Sequence, residues 1–164
     1  MNITVEISKE NKQWKFYPEI KNKFFTTTLM KTLEEHQNFK VQEIELSILL
    51  TDDAHMQELN KKFRNKDKAT NVLSFPDIEM NGEAPIEFIP NTDYIYLGDI
   101  AFGYDIIKQE AEDKKISFLD HFRHLTIHGI LHLIGYDHEE QKEAELMENL
   151  EIKILQKFDI KSPY

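Results

Sequence analysis

The stretch His121 to Glu140 reads HFRHLTIHGILHLIGYDHEE, and it sets His128, His132, Gly135 and His138 in the pattern H-x-x-x-H-x-x-G-x-x-H. Its residues Leu125, Ile127, Ile130, Leu131, Leu133 and Ile134 are apolar nearly all round a helix, which predicts a buried central helix and not a surface one. On that helix His128 and His132 stand one turn apart on the same face and offer two imidazoles to one ion. Gly135 is where the helix is expected to stop, because glycine takes the left-handed C-terminal cap without steric cost. A turn through Tyr136 and Asp137 then returns His138 to the same ion. Three neutral nitrogens are the ligand number of a catalytic zinc that keeps a fourth position for water. A single histidine would read as packing, but an unpaired imidazole in a core is costly, and a metal removes the cost for all three. One Zn2+ per chain is expected, although imidazole also suits nickel, copper or iron.

The 164 residues fit one domain over 1–164 with room for a sizeable core. The absence of cysteine excludes disulfides, thiolate zinc sites and thiol catalysis. No apolar run approaches membrane-spanning length and the N-terminus has no apolar signal core, so a cytoplasmic protein without membrane contact is expected. A net charge of −10 argues against general nucleic-acid affinity, which depends on Lys and Arg neutralising phosphates. Any such role must rest on a local basic patch.

Along the chain, Ile3, Val5 and Ile7 alternate with polar residues and predict a strand. Trp14, Phe16 and Tyr17 lead to Pro18, where a helix to about Glu35 is expected, with His36 and Asn38 as its polar exit. Lys40 to Leu50 reads as a second strand. Thr51 is the expected N-cap of an amphipathic helix over Asp52 to Arg64. Ala69 to Pro76 reads as a loop feeding a short strand, and Asp77 to Asp93, with Asn81-Gly82, Pro85 and Pro90, as a loop or hairpin connection. Tyr94 to Phe102 is a strand in which Gly98 marks a bulge or a close backbone approach. A helix over Tyr104 to Lys114 follows. Ser117 with Asp120 resembles a capping box opening the histidine helix, and Glu139 to Phe158 is a last helix. Strands early and helices late predict an α+β fold, a small mixed sheet covered by helices.

The histidine spacing resembles that of the metzincin metalloproteases, H-E-x-x-H-x-x-G-x-x-H, but Gly129 stands where those enzymes carry the glutamate general base. Peptide hydrolysis by a zinc peptidase is therefore disfavoured. A zinc with three neutral ligands acidifies its bound water and polarises a phosphoryl oxygen, which suits phosphodiester cleavage. That reaction also needs fixed cations on the phosphoryl oxygens. Lys61 to Lys68, KKFRNKDK, is the densest basic stretch of the chain; alone it reads as a solvated helix end, but Arg64 supplies a guanidinium suited to bidentate phosphate binding.

HGILHLIGYDH, with NKKFRNKDKATNVLSFP before it and YLGDIAF between, resembles the YbeY family of rRNA maturation endoribonucleases over about Leu59 to Leu155. The resemblance implies zinc on His128, His132 and His138, a functional arginine at Arg64, and an α+β fold. It also implies single-strand-specific RNA cleavage at the small-subunit rRNA 3′ end, a part in ribosome quality control, and association with the small ribosomal subunit or its factors. Zinc-bound water or hydroxide would activate attack, with Arg64 stabilising phosphoryl charge and Lys62, Lys66 and Lys68 guiding RNA. Ala69 replaces a proline that often precedes the threonine, and Ile100-Ala101-Phe102 is a variant of the usual strand; neither touches an expected ligand. The first fifty residues carry no signature.

Other residues have two readings each. Ser74 binds a phosphate or caps a strand end, and Asp137 orients His138 or forms the turn. His121 and His124 are assigned a structural or rim role, His36 and His55 the surface, and Met147 the core. A non-catalytic ribosome-assembly factor with a structural zinc remains the rival from outside enzymology.

Overall fold

Alternating side chains make four strands, and the computed structural model, which describes residues 1–36, 41–77 and 93–164, arranges them as one mixed sheet. The strands are β1 (Asn2–Lys9), β2 (Glu43–Thr51), β3 (Val72–Pro76) and β4 (Tyr94–Gly103), in spatial order β1-β2-β4-β3. β1, β2 and β4 run parallel, while β3 pairs antiparallel with β4. The helices are α1 (Asn22–Leu33), α2 (Asp53–Arg64), α3 (Tyr104–Lys114), α4 (Phe118–Leu133) and α5 (Gln141–Gln156). The expected α+β architecture is what forms.

β2 shows how the sheet faces divide. Ile44, Leu46, Ile48 and Leu50 are buried in the main core, while Leu49 turns to the opposite face, where Met56 and Leu59 of α2 cover Ala101, Leu73 and Phe75. α4 packs against β3, β4, α1, α3 and α5, the environment that its all-round apolar surface requires. Trp14, Tyr104, Phe118 and Phe122 form an aromatic cluster at its first turns, with Trp14 to Tyr104 ring centroids 5.3 Å apart. Among the described residues no helix is long and apolar enough to cross a membrane.

Gly98 is both of the things its place in a strand predicts. The register between β2 and β4 shifts at Glu45/Leu46, and Gly98 takes φ +133°. A β-carbon there would lie 2.2 Å from the carbonyl oxygen of Phe75, so the residue is also a close approach of β4 to β3.

Three expectations are corrected. No helix begins at Pro18: a 3-10 turn over Lys12–Phe16 precedes it, and α1 starts at Asn22. The turn buries Trp14, whose indole N–H donates to Thr51 O at 3.1 Å, a long-range contact that overrides the local helix signal. Thr51 is the last residue of β2 and not a cap. Asp52 is the N-cap, accepting from His55 N at 2.9 Å, while the Thr51 hydroxyl donates to Glu10. His36 is buried, its ring bonded to the Tyr136 hydroxyl at 2.7 Å; His55 is half-buried against Glu10. Asn38, the start of the second strand at Lys40 and the turn residues Asn81-Gly82, Pro85 and Pro90 lie outside the described residues.

Candidate active site

Two local devices fix the histidine helix. At its start Ser117 Oγ accepts from Asp120 N at 3.1 Å. At its end Gly135 takes φ +102°, Gly135 N donates to His132 O at 3.1 Å and Tyr136 N to Leu131 O at 2.9 Å. This paired backbone closure is the Schellman arrangement that glycine permits. It reverses the chain within three residues and returns His138 to the open side of α4. Asp137 stabilises the return by accepting from His138 N at 2.8 Å, which places its carboxylate on the turn.

One ring nitrogen from each of His128, His132 and His138 lies within 4.8 Å of the other two. The ring centroids are 4.6, 5.6 and 5.1 Å apart for the pairs 128–132, 128–138 and 132–138. His128 Nε2 and His132 Nε2 approach to 3.0 Å. Burial first, then the neighbouring His128 and His138, push His132 down to about 4, so its ring is neutral at physiological pH. Three imidazole nitrogens brought this close together are a donor set that fits a divalent transition metal. Among the described residues, Asp137 is not part of that cluster.

The carboxylate of Glu151, from α5, lies behind the ring of His128. Glu151 Oε1 is 2.6 Å from His128 Nδ1, and Oε2 is 3.0 Å from His124 Nε2. The Tyr164 hydroxyl donates to the same Oε2. Burial alone would raise the Glu151 carboxyl, but hydrogen bonds from His124 and His128 outweigh it and hold it at about 2. A carboxylate on Nδ1 leaves the His128 proton there and the Nε2 lone pair facing the other histidines. Sequence reasoning missed Glu151. Its signal was present: the residue falls on the apolar stripe of α5 with Met147, Ile154 and Leu155, where a glutamate needs a buried partner.

Arg64 ends α2 and faces the histidines across one cleft. The left-handed Asn65 (φ 57°) terminates the helix, and buried Asn60 ties down the following residues by donating to Lys68 O at 2.9 Å. Arg64 Nη2 donates to Ser74 O at 2.8 Å, with its guanidinium 5.5 Å from the Phe75 ring centroid. Ser74 Oγ in turn donates to Gly129 O at 3.1 Å on α4. The cleft of about 940 Å³ is lined by Arg64, Lys66, Lys68 and Ser74 on one side and His128, His132 and His138 on the other. Lys62 does not line it and lies 5.2 Å over the Phe63 ring. His121 and His124 do not line it either. His121 Nε2 is 3.1 Å from Glu110 Oε1, and both histidines are buried residues of the ligand helix itself, at its earlier turns.

Gly129 is a packing position. A β-carbon there would meet Ile100 at 3.0 and 3.1 Å and Ser74 Oγ at 3.2 Å, so α4 touches the sheet at the residue where metzincins place their base.

The family model described as "Endoribonuclease YbeY" matches residues 6–159. The chain belongs to the YbeY endoribonuclease family. The Endoribonuclease YbeY of Bartonella henselae is 42% identical over 163 residues, covering 99% of this chain and 97% of that relative. The YbeY likeness therefore extends across the N-terminal residues that carry no signature of their own. A solution structure of a Thermotoga maritima protein superposes with a TM-score of 0.54 at 22% identity, covering 95% of this chain and 92% of that one, which bears on the fold alone.

Proposed function

We propose that this chain is a zinc-dependent endoribonuclease, one domain over 1–164, that cuts single-stranded RNA in maturation of the small-subunit rRNA 3′ end and in ribosome quality control. The observation that carries the reading is the convergence of three imidazole nitrogens on the same cleft that holds Arg64. His128, His132 and His138 would hold one zinc per chain. When bound, such an ion supplies Lewis acidity toward a phosphoryl oxygen and makes water more acidic.

The chain's own groups supply the rest. Arg64 directs its guanidinium toward the charge that develops on the phosphoryl oxygens, worth about 3–4 kcal/mol where a single such donor has been removed elsewhere. Lys66 and Lys68, held by the Asn60 anchor, draw the backbone of the RNA into the cleft, and Lys62 guides it from outside. Ser74 lines the cleft, but its proton is donated to Gly129 O, so its part is to space Arg64 from α4. Glu151 fixes the tautomer and ring plane of His128. Net charge −10 leaves little general affinity for RNA, so binding to the small ribosomal subunit or its factors in the cytoplasm supplies the encounter.

A peptidase reading lacks a base, and a side chain at position 129 would crowd Ile100 and Ser74. The test is cleavage of a labelled single-stranded RNA by wild type and His132→Ala purified identically. Cleavage by wild type alone, lost on chelation and restored by zinc, supports the enzyme. Equal cleavage by both refutes the site, and silence from both on free RNA and on ribosomal particles favours a non-catalytic assembly factor with a structural metal.

A further inference from the structure

A second basic groove opens elsewhere on the protein. It encloses about 530 Å³ beside α1 and is lined by Lys21, Lys23, Lys31 and Arg123, with Glu19 its one acidic residue and Phe24 and Phe158 its aromatic walls. The lining carries three net positive charges in a chain whose formal charge is −10. A concentration of that sign against the global balance is a local field, not a consequence of composition.

Arg123 is the core of the groove. Its guanidinium carbon stands 3.7 Å from the ring centroid of Phe24 and 4.2 Å from that of Phe158, so two aromatic rings pack against it. Nη1 donates to Thr28 Oγ1 at 2.6 Å and to Phe24 O at 3.2 Å. Among the described residues Nε and Nη2 have no acceptor, and no carboxylate comes within ion-pair distance. The ion pairs nearby are made instead by Lys153 and Lys157 with Glu34 and Glu35. Lys21, Lys23 and Lys31 also lack carboxylate partners among the described residues, and Lys31 Nζ lies 5.4 Å over Phe158. A half-buried guanidinium without an ion-pair contact costs free energy that an external anion recovers. Burial, only partly offset by Asp120, draws Arg123 down to about 10, so it remains a cation at neutral pH.

We infer that this groove is a second RNA-contact site, which takes the phosphodiester backbone of the same single-stranded RNA at a segment away from the scissile bond. The inference rests on the endoribonuclease reading above. Arg123 and His128 are five residues apart on α4, which sets them about 140° apart around the helix. The groove and the cleft therefore open on different sides of α4, and a short oligonucleotide occupies the cleft alone whereas a long one reaches both. An Arg held by two rings and by Thr28 presents its free N–H groups to phosphate oxygens at little entropic cost, and the lysines extend the track along the strand.

The test compares wild type with the triple variant Lys21→Gln, Lys23→Gln, Lys31→Gln, which leaves the buried Arg123 in place. Binding is read by anisotropy with a long, nuclease-resistant phosphorothioate RNA, and kcat/KM is read on a short cleavable RNA. The expected result is unchanged kcat/KM on the short RNA and at least tenfold weaker binding of the long one. The slope of log K against log salt should also fall by about 2, since each single-strand phosphate contact contributes about 0.7. Unchanged affinity and slope for the long RNA would overturn the groove while leaving the enzyme reading intact. Failure of wild type to cut the short RNA, and ribosomal particles as well, would overturn the enzyme reading itself. If polyglutamate binds wild type as tightly as RNA and is lost equally in the variant, the groove serves an acidic protein and the assignment to RNA is wrong.

Discussion

Glu151 Oε1 lies 2.6 Å from His128 Nδ1, so a carboxylate of α5, 23 residues away in sequence, sets the ring that α4 contributes to the metal cluster. Carboxylates in this position raise ligand basicity and fix the ring, and their loss costs about 10–100-fold in metal affinity. Glu151→Gln is expected to weaken zinc binding within that range in a competition titration against a chromophoric chelator, with Glu151→Asp falling between the two. Removing the carboxylate altogether in Glu151→Ala also strands the buried His124 and the half-buried His128, and a loss of about 3 kcal/mol of stability is expected from denaturant unfolding. Wild-type zinc affinity in a folded Glu151→Gln protein would mean that His128 needs no orienting partner.

Arg64 is exposed and bonded to a backbone carbonyl, so its removal should leave the fold and the metal alone. Arg64→Ala is expected to lower kcat on single-stranded RNA by about 10²–10³ with zinc content unchanged by atomic absorption. Arg64→Lys should recover only part of that, because an ammonium cannot make the bidentate contact. Undiminished turnover in Arg64→Ala would remove the residue from the chemistry.

Gly129→Glu is the substitution that restores the metzincin pattern on paper. Its β-carbon would meet Ile100 and Ser74 Oγ, so the expected outcome is a destabilised protein, by about 1–3 kcal/mol in thermal or chemical unfolding, and no peptide hydrolysis. A stable variant that cleaves a peptide substrate would show that α4 can move away from the sheet.

An ion that binds the folded protein and not the unfolded chain stabilises it by mass action, by about 2.7 kcal/mol at a hundredfold excess over the dissociation constant. Chelation should therefore lower the melting temperature of wild type, and zinc should restore it. His132→Ala should start near the chelated value and respond to neither treatment. A melting temperature of wild type indifferent to chelator and zinc would argue against metal at the three histidines.

The parts of the site that were legible in the sequence are those whose partners lie within a turn or two along the chain. His128, His132, Gly135 and His138 declare themselves through helical spacing and a C-cap, and Ser117 through its cap to Asp120. Arg64 stood out through the contiguous basic stretch that contains it. Glu151 did not, because its meaning depends on His124 and His128 from another helix. His36 read as a polar helix exit because nothing local announces Tyr136, a hundred residues on, whose hydroxyl meets its ring. The helix expected from Pro18 starts only at Asn22, after a 3-10 turn that carries Trp14 inward to Thr51, a partner no local pattern announces. Local grammar sets caps and periods; burial of particular side chains against distant partners decides the remainder.

Ser74 accepts Arg64 through its carbonyl and reaches Gly129 O through its hydroxyl. The separation between the cation and the ligand helix is thus gauged by the carbonyls of Ser74 and Gly129 and by the one short hydroxyl that joins them. Other side chains around the cleft can drift over evolutionary time without altering that gauge, whereas losing the Ser74 hydroxyl, lengthening β3 or shifting its pairing with β4 would miscalibrate the whole cleft even with every expected ligand still in place.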